Sequence, residues 1–250
     1  MEWRDIGIVI GTRRFGESGL ILDAFTREHG RQSGLIYGGN SSKKRASFEI
    51  GTSLELEWRA RTSEQLGHFN LSEPTAHRAA IFMGSRMALA ALQSVTALLN
   101  TSLPEGHSYP SLFDATELVL DQLGDNDIWP ALMVSWEVGF LRTVGYGLDF
   151  SRCAVSGKRE GLSHVSPRTG RAVCGSEVPE YVDKLLRLPG FLTDSDLDAP
   201  AEDVATGFEL TGYFITNRLY AEAHQQPPGS RELMLRRLQD KGLIVFKPSS

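Results

Sequence analysis

The hydrophobic period of this chain changes once, near Pro74, and that change limits what it can fold into. Before Pro74 the apolar residues alternate: Ile6, Ile8 and Ile10 with Gly7, Val9 and Gly11, and Leu54, Leu56 and Trp58 with Glu55, Glu57 and Arg59. A period of two is that of a half-buried antiparallel strand. Leu20 to Thr26, Ser33 to Tyr37 and Leu66 to Leu71 are further strand candidates, separated by Gly-, Asn- and Ser-rich turns at 14–19, 28–30 and 38–45. Five short strands without a helical period predict a small closed barrel, and the five-stranded OB-fold fits that number.

After Pro74 the period becomes helical. Thr75 to Leu99 places Ile81, Met83, Met87, Leu89, Leu92, Val95 and Leu99 on a long, largely buried helix. Ser111 to Asp114 reads as a capping box opening a helix that stops at Gly124, and Trp129 to Tyr146 is the next helix, with Pro130 in its first turn. Glu180 to Leu188, Ala201 to Ala223 and Ser230 to Leu238 complete the helical part. The expected class is α+β, with a barrel at 1–74, a helical domain at 75–148 and 179–250, and a small inserted module at 149–178.

Charge is distributed unevenly over these parts. Residues 1–48 carry eight basic and five acidic side chains, whereas the remainder carries 18 basic and 26 acidic, for a total of -5. A basic N-terminal fifth on an acidic body is the asymmetry expected where one module meets a polyanion. No apolar run approaches the roughly 20 residues of a membrane span, and hydrophobic content is ordinary for a chain with a real core. Two cysteines and an N-terminus without a signal-peptide layout predict a reducing cytoplasm.

Few motifs carry chemistry. Gly157 and Lys158 are followed by Arg159 rather than Ser or Thr, so no P-loop is present, and Gly7 to Gly11 lacks dinucleotide spacing. No zinc-protease or nucleophile-elbow motif occurs, and the six histidines are scattered singly. An enzyme would need a site assembled from dispersed residues such as His68, Glu73 and His77. Cys153 and Cys174 outline two C-x-x-C knuckles that each lack one ligand, because Ser156 and Arg171 stand in the other places. With His164 they offer at most three ligands, fewer than the four of a structural zinc, so a metal-free module packed around Leu162, Val165 and Val173 is expected.

Arg13 to Glu17, Phe25 and Thr26, Gly30 and Arg31, then Gly38 leading to Ser42 through Arg45 form an ordered series. Trp136 and Glu137, Phe140 and Leu141, and Gly145 through Leu148 before Cys153 continue it, and Arg218 with Ser230 to Leu233 closes it. In this order and spacing the chain resembles the bacterial RecO family of recombination mediators over nearly its whole length. The resemblance implies an N-terminal OB-fold, a helical domain, and a zinc-finger-like insertion of the type that lost its ligands. It implies a non-catalytic protein that binds single- and double-stranded DNA, anneals complementary strands, and loads RecA on gaps with RecR and single-strand-binding protein. It also implies a nucleoid-associated protein without a cofactor.

Within that expectation Lys43, Lys44 and Arg45, with Arg13, Arg14 and Arg31 on neighbouring turns, supply a cationic groove for the phosphate backbone. Phe15 and Tyr37 are available for base stacking. Arg78 and Arg86, spaced eight residues apart on the expected helix beside Phe82, Met83 and Met87, are candidates for the acidic tail of single-strand-binding protein. An OB-fold module that binds RNA is the alternative reading, since OB-folds accept either nucleic acid.

Overall fold

The computed structural model describes residues 1–41, 46–62, 66–123, 128–194 and 197–246. The chain forms two compact units, Met1–Gly124 with Pro228–Met234, and Asp125–Pro227 with Leu235–Ser250.

In the first unit, β1 (Glu2–Phe15), β2 (Gly19–Thr26), β3 (Gly30–Ile36), β4 (Thr52–Arg59) and β5 (Gly67–His77) close into a barrel in the order β1-β2-β3-β5-β4. All pairs are antiparallel except the short β3–β5 contact, where Gly34 and Leu35 meet Gly67 and His68. Val9, Leu22, Ala24, Leu54, Leu56 and Phe69 are among the residues that fill the interior. The Trp58 indole is buried there and donates to the Ser33 carbonyl at 3.1 Å.

The alternation in β1 misleads about its environment. Gly7 through Gly11 are all buried, while Ile6 is 46% exposed. Helix α1 (Arg86–Ser102) packs on β1 and β2, and α2 (Pro110–Gln122) meets β2, so the middle of β1, Gly7 to Gly11, and most of β2 are buried on both faces. Phe25 on β2 meets Phe113 on α2 at 5.6 Å between ring centres.

The expected long helix from Thr75 does not form. Strand β5 continues through Pro74 to His77, a single helical turn covers Arg78–Ile81, and α1 starts only at Arg86. The reason is local. Gly84 lacks helix propensity, and Ser85, in an extended conformation, accepts the Ala88 amide hydrogen with its side chain and so caps a new helix. The expected capping box at Ser111 is also displaced, because α2 begins at Pro110 without a side-chain cap and Asp114 is engaged elsewhere.

Arg78 is the charged centre of this unit. Its side chain is 3% exposed; Nη2 lies 2.6 Å from Asp121 and 3.2 Å from Glu117, and Nη1 donates to Ser53 Oγ at 2.7 Å. Nη1 also donates to the Gly51 carbonyl. Gly51 sits at φ +85, and a Cβ there would lie 2.5 Å from the Leu92 side chain, so any other residue would be strained and would displace Leu92.

The second unit contains α3 (Trp129–Thr143) and α4 (Ala201–Phe214), which pack together. The carboxylate of Glu137, fully buried on α3, accepts from the Thr211 hydroxyl on α4. Strands β6 (His164–Val165), β7 (Ala172–Val173) and β8 (Leu186–Arg187) form a small sheet in the order β7-β6-β8. The expected helix at Glu180 to Leu188 is instead a 3-10 segment, Pro179–Lys184, followed by β8. Val178 and Leu185 are drawn onto the cysteine cluster, which interrupts helical phasing there. Helix α5 (Gly229–Asp240) is the last element.

Truncating Arg78 leaves Glu117 and Asp121 without their common cation. Arg78→Ala is expected to destabilise the fold by about 3–5 kcal/mol, read as a lowered urea midpoint. A midpoint unchanged within error would show that the cluster is dispensable.

Candidate nucleic-acid interface

A groove of about 680 Å³ lies between β1 and α1, lined by Arg13, Arg14, Asn40, Phe48, Met83 and Gln93 among others. The β1–β2 hairpin forms one wall. Its tip is tied to the segment after β3 by the Asn40 amide, which donates to the Ser18 carbonyl at 3.1 Å. Asn40 stands two residues before Ser42; Lys43, Lys44 and Arg45 lie outside the described residues.

The three arginines expected beside that segment differ in their freedom. Arg14 is exposed, with no ion-pair partner among the described residues. Arg13 is exposed but lies 3.1 Å from Asp23, whose carboxylate is buried and also accepts from Ser33 Oγ at 2.6 Å. Arg31 is half-buried, and its Nε donates to the Leu103 carbonyl at 2.8 Å. It pins the segment after α1 to β3. Arg27, on the β2–β3 turn, is held by both oxygens of Asp114 at 2.9 and 3.0 Å. That hydrogen bond and charge raise the Arg27 guanidinium above its ordinary value and pull the Asp114 carboxyl below the usual carboxylate range.

Exposed aromatic rings occur at two barrel positions. Phe15 is 51% and Tyr37 is 73% exposed. Tyr37 has His68 of β5 at 6.3 Å between ring centres. The β3–β5 register, Leu35 opposite His68, brings these rings together, and no local sequence signal announces it. Trp3, by contrast, has both faces covered, by His29 at 4.2 Å and Trp58 at 5.5 Å.

The four candidates for a partner surface do not share a face. Arg78 is consumed by Asp121 and Glu117, and Phe82 is buried. Arg86 is exposed and Met87 half-exposed, while Ile81 and Met83, at 72% and 77%, are the open apolar residues nearby. Burial of Arg78 follows from its position after β5, where it reaches into the space between β4 and α2.

The dispersed enzyme site does not assemble either. His68 and His77 stand at opposite ends of β5, and the side chain of Glu73 lies outside the described residues.

In the second unit the cysteine surroundings do not fit a zinc ion. Cys153 and Cys174 are buried and reduced in one small cluster. The Ser156 amide donates to Cys153 Sγ at 3.5 Å and the Cys174 amide at 3.2 Å, whereas Ser156 supplies no thiolate. The Arg171 side chain lies 3.9 Å from Asp149, and His164 Nδ1 is 2.9 Å from Ser163 Oγ. Among the described residues no three His, Cys, Asp or Glu side chains converge as a metal group.

These features set the Cys153 thiol apart. Burial pushes it up, but hydrogen bonds from Ser156 and from the backbone of Cys174 and Val155 prevail and bring it down to about 6. Burial raises Cys174 instead. A depressed folded value stabilises the fold above the ordinary thiol range, and that contribution is lost as pH falls through about 6.

Two family models match this chain, Recombination protein O N terminal over residues 1–78 and Recombination protein O C terminal over residues 83–227. The chain belongs to the RecO family. It is 52% identical to the DNA repair protein RecO of Hyphomonas neptunium over 239 residues, covering 95% of this chain and 98% of that one. The RecO proteins of Roseobacter denitrificans and Methylocella silvestris are each 44% identical, over 91% and 94% of this chain and 93% and 95% of theirs. No helix among the described residues of this RecO-family chain is long and apolar enough to cross a membrane.

Two measurements test the cysteine module. Ultraviolet thiolate absorbance is expected to titrate near pH 6 and to lose that phase in Cys153→Ala. Elemental analysis of protein purified without added zinc is expected to find far less than one equivalent, with no change in unfolding on chelation. Stoichiometric zinc and chelator-induced unfolding would overturn this reading.

Proposed function

We propose that this RecO-family chain is a non-catalytic DNA repair and recombination mediator of the cytoplasm and nucleoid. On this reading it binds single- and double-stranded DNA, anneals complementary strands, and helps load recombinase with RecR on gaps coated by single-strand-binding protein. Membership of the RecO family supports the repair role. The N-terminal barrel would act as an OB-fold. The observation that carries the DNA-binding part is the exposed pair Arg14 and Phe15 on a hairpin tied to the chain just before Lys43, Lys44 and Arg45. Cations that track phosphates beside rings that accept stacked bases are what non-specific single-strand binding requires.

Replacing Lys43, Lys44 and Arg45 together with Ala is expected to weaken binding to single-stranded DNA. The log-log salt slope should fall by roughly 0.7 for each phosphate that is no longer neutralised. An unchanged slope would remove this segment from the interface. Preference for labelled RNA over DNA of the same sequence would favour the RNA-binding alternative.

For the acidic tail of single-strand-binding protein, the residues that remain available are Arg86, Met87, Met83 and Ile81. An apolar surface beside a guanidinium suits a tail that ends in apolar residues and a carboxylate. Arg86→Glu is expected to weaken binding of a tail peptide several-fold while binding of naked DNA stays nearly unchanged. Undiminished peptide affinity would place the tail site elsewhere.

A further inference from the structure

The 149–178 module is cationic within an acidic body: it carries Arg152, Lys158, Arg159, Arg168 and Arg171 against Asp149, Glu160 and Glu177. Two of the acids are engaged inside the module. Glu177 takes Lys158 at 2.7 Å, and Asp149 lies 3.9 Å from Arg171. Arg152, Arg159 and Arg168 are exposed and have no ion-pair partner among the described residues.

Arg168 is presented by a built turn. The β6–β7 hairpin reverses at 166–171, where the Gly170 amide donates to the Ser166 carbonyl at 2.9 Å and the Ser166 amide to the Arg171 carbonyl at 3.0 Å. Gly170 adopts φ +69, and a Cβ there would lie 3.1 Å from Leu148 and 3.3 Å from the Gly147 carbonyl oxygen. From the other side Arg218 Nη2 donates to the Arg168 carbonyl at 2.8 Å. Arg218 stands in a π-helical turn, Ile215–Tyr220, that follows α4, and such turns re-aim side chains that an α-helix would direct elsewhere. Glu222 steadies it, 3.6 Å from Arg218 Nη1, while also accepting from the Tyr146 hydroxyl at 2.9 Å. The Gly145 to Gly147 turn lies beside both this hairpin, through Gly170, and Arg142 at the end of α3. Arg142 is also exposed, without an ion-pair partner among the described residues.

We infer that this module and the end of α3 form a second nucleic-acid site, which takes the phosphate backbone of a DNA strand on Arg142, Arg152, Arg159 and Arg168. The inference rests on the DNA-binding reading of the protein for its choice of polyanion. Guanidinium groups pair with phosphate through two parallel hydrogen bonds, and Ser151, Gly157 and Thr169 adjoin these arginines with small polar surface that leaves a backbone room to approach. Annealing needs two strands on one protein, and a cationic surface in each unit supplies both. Arg218 acts as a positioning residue by holding the Arg168 turn.

Native mass spectrometry with a short deoxythymidine oligonucleotide tests this on the full chain. The natural sequence is expected to bind two oligonucleotides per chain. Arg152→Glu/Arg159→Glu/Arg168→Glu is expected to bind one, and the Lys43, Lys44 and Arg45 alanine variant also one. The triple alanine replacement of Arg152, Arg159 and Arg168 guards against misfolding from charge reversal and should lower the salt slope without loss of circular dichroism. Arg218→Gln should weaken binding at this second site several-fold. Retention of both oligonucleotides by the triple Glu variant would overturn the second site, as would a natural sequence that binds a single oligonucleotide lost only on replacing Lys43, Lys44 and Arg45. Binding abolished by the triple Glu variant but untouched by the barrel variant would support this site and reject the barrel reading.

Discussion

Much of the first unit is organised around one buried cation. Arg78 offers five N–H donors in a fixed plane and finds carboxylates at Glu117 and Asp121, the Ser53 hydroxyl and the Gly51 carbonyl. Glu117 in turn accepts from Ser53 Oγ at 2.7 Å. A guanidinium removed from water is tolerated only when its hydrogens are met in this way. The contacts lock β4 to α2 and fix the rotation of that helix about its axis. Asp114, Glu117 and Asp121 are spaced by three and four residues and share a face, so the rotation that serves Arg78 also presents Asp114 to Arg27. One acidic stripe thereby holds the barrel at two places.

That stripe explains a limit of sequence reading. Acidic residues on an amphipathic helix normally mark its solvent side, and Asp114 reads as a capping residue by spacing alone. Arg78 reads equally well as a surface arginine. Only the fold brings residues 53, 78 and 117 together. The number of strands, their approximate positions and the helices at 129 and 201 were legible because each rests on a period that its own residues carry. The break at Ser85 and the 3-10 turn at 179 were not, because a cap and a packing cluster overrode propensity there.

The candidate interface was legible to a smaller degree for the same reason. Composition locates the positive charge within residues 1–48 but not which charges are already satisfied. Phe15 and Tyr37 were ambiguous between core and surface until the barrel assigned them outward, and Tyr37 gained His68 through strand register. The spacing of the cysteines names the residues, Ser156 and Arg171, that stand where further ligands would be. The backbone donors that lower the Cys153 thiol come from the turn at 153–156 and from Cys174, which only the fold brings to it.

Satisfied charge also sets how strongly this protein can respond to salt. Counterions are released from DNA only by cations that reach phosphate, and an arginine already paired with a carboxylate releases fewer. Of the eight basic residues before Phe48, Arg13 is paired with Asp23, Arg27 with Asp114, and Arg31 with a backbone oxygen. Arg4 lies 3.9 Å from Glu57. The nominal excess therefore overstates the free cations, and among the described residues before Phe48 Arg14 is the exposed arginine without an ion-pair partner. On the proposed DNA-binding reading, small groups of cations on an acidic body would hold a strand weakly enough to exchange it, because non-specific affinity grows with each phosphate engaged while the surrounding carboxylates repel the rest. Strong, uniform basicity would instead trap single strands before a complement could be found.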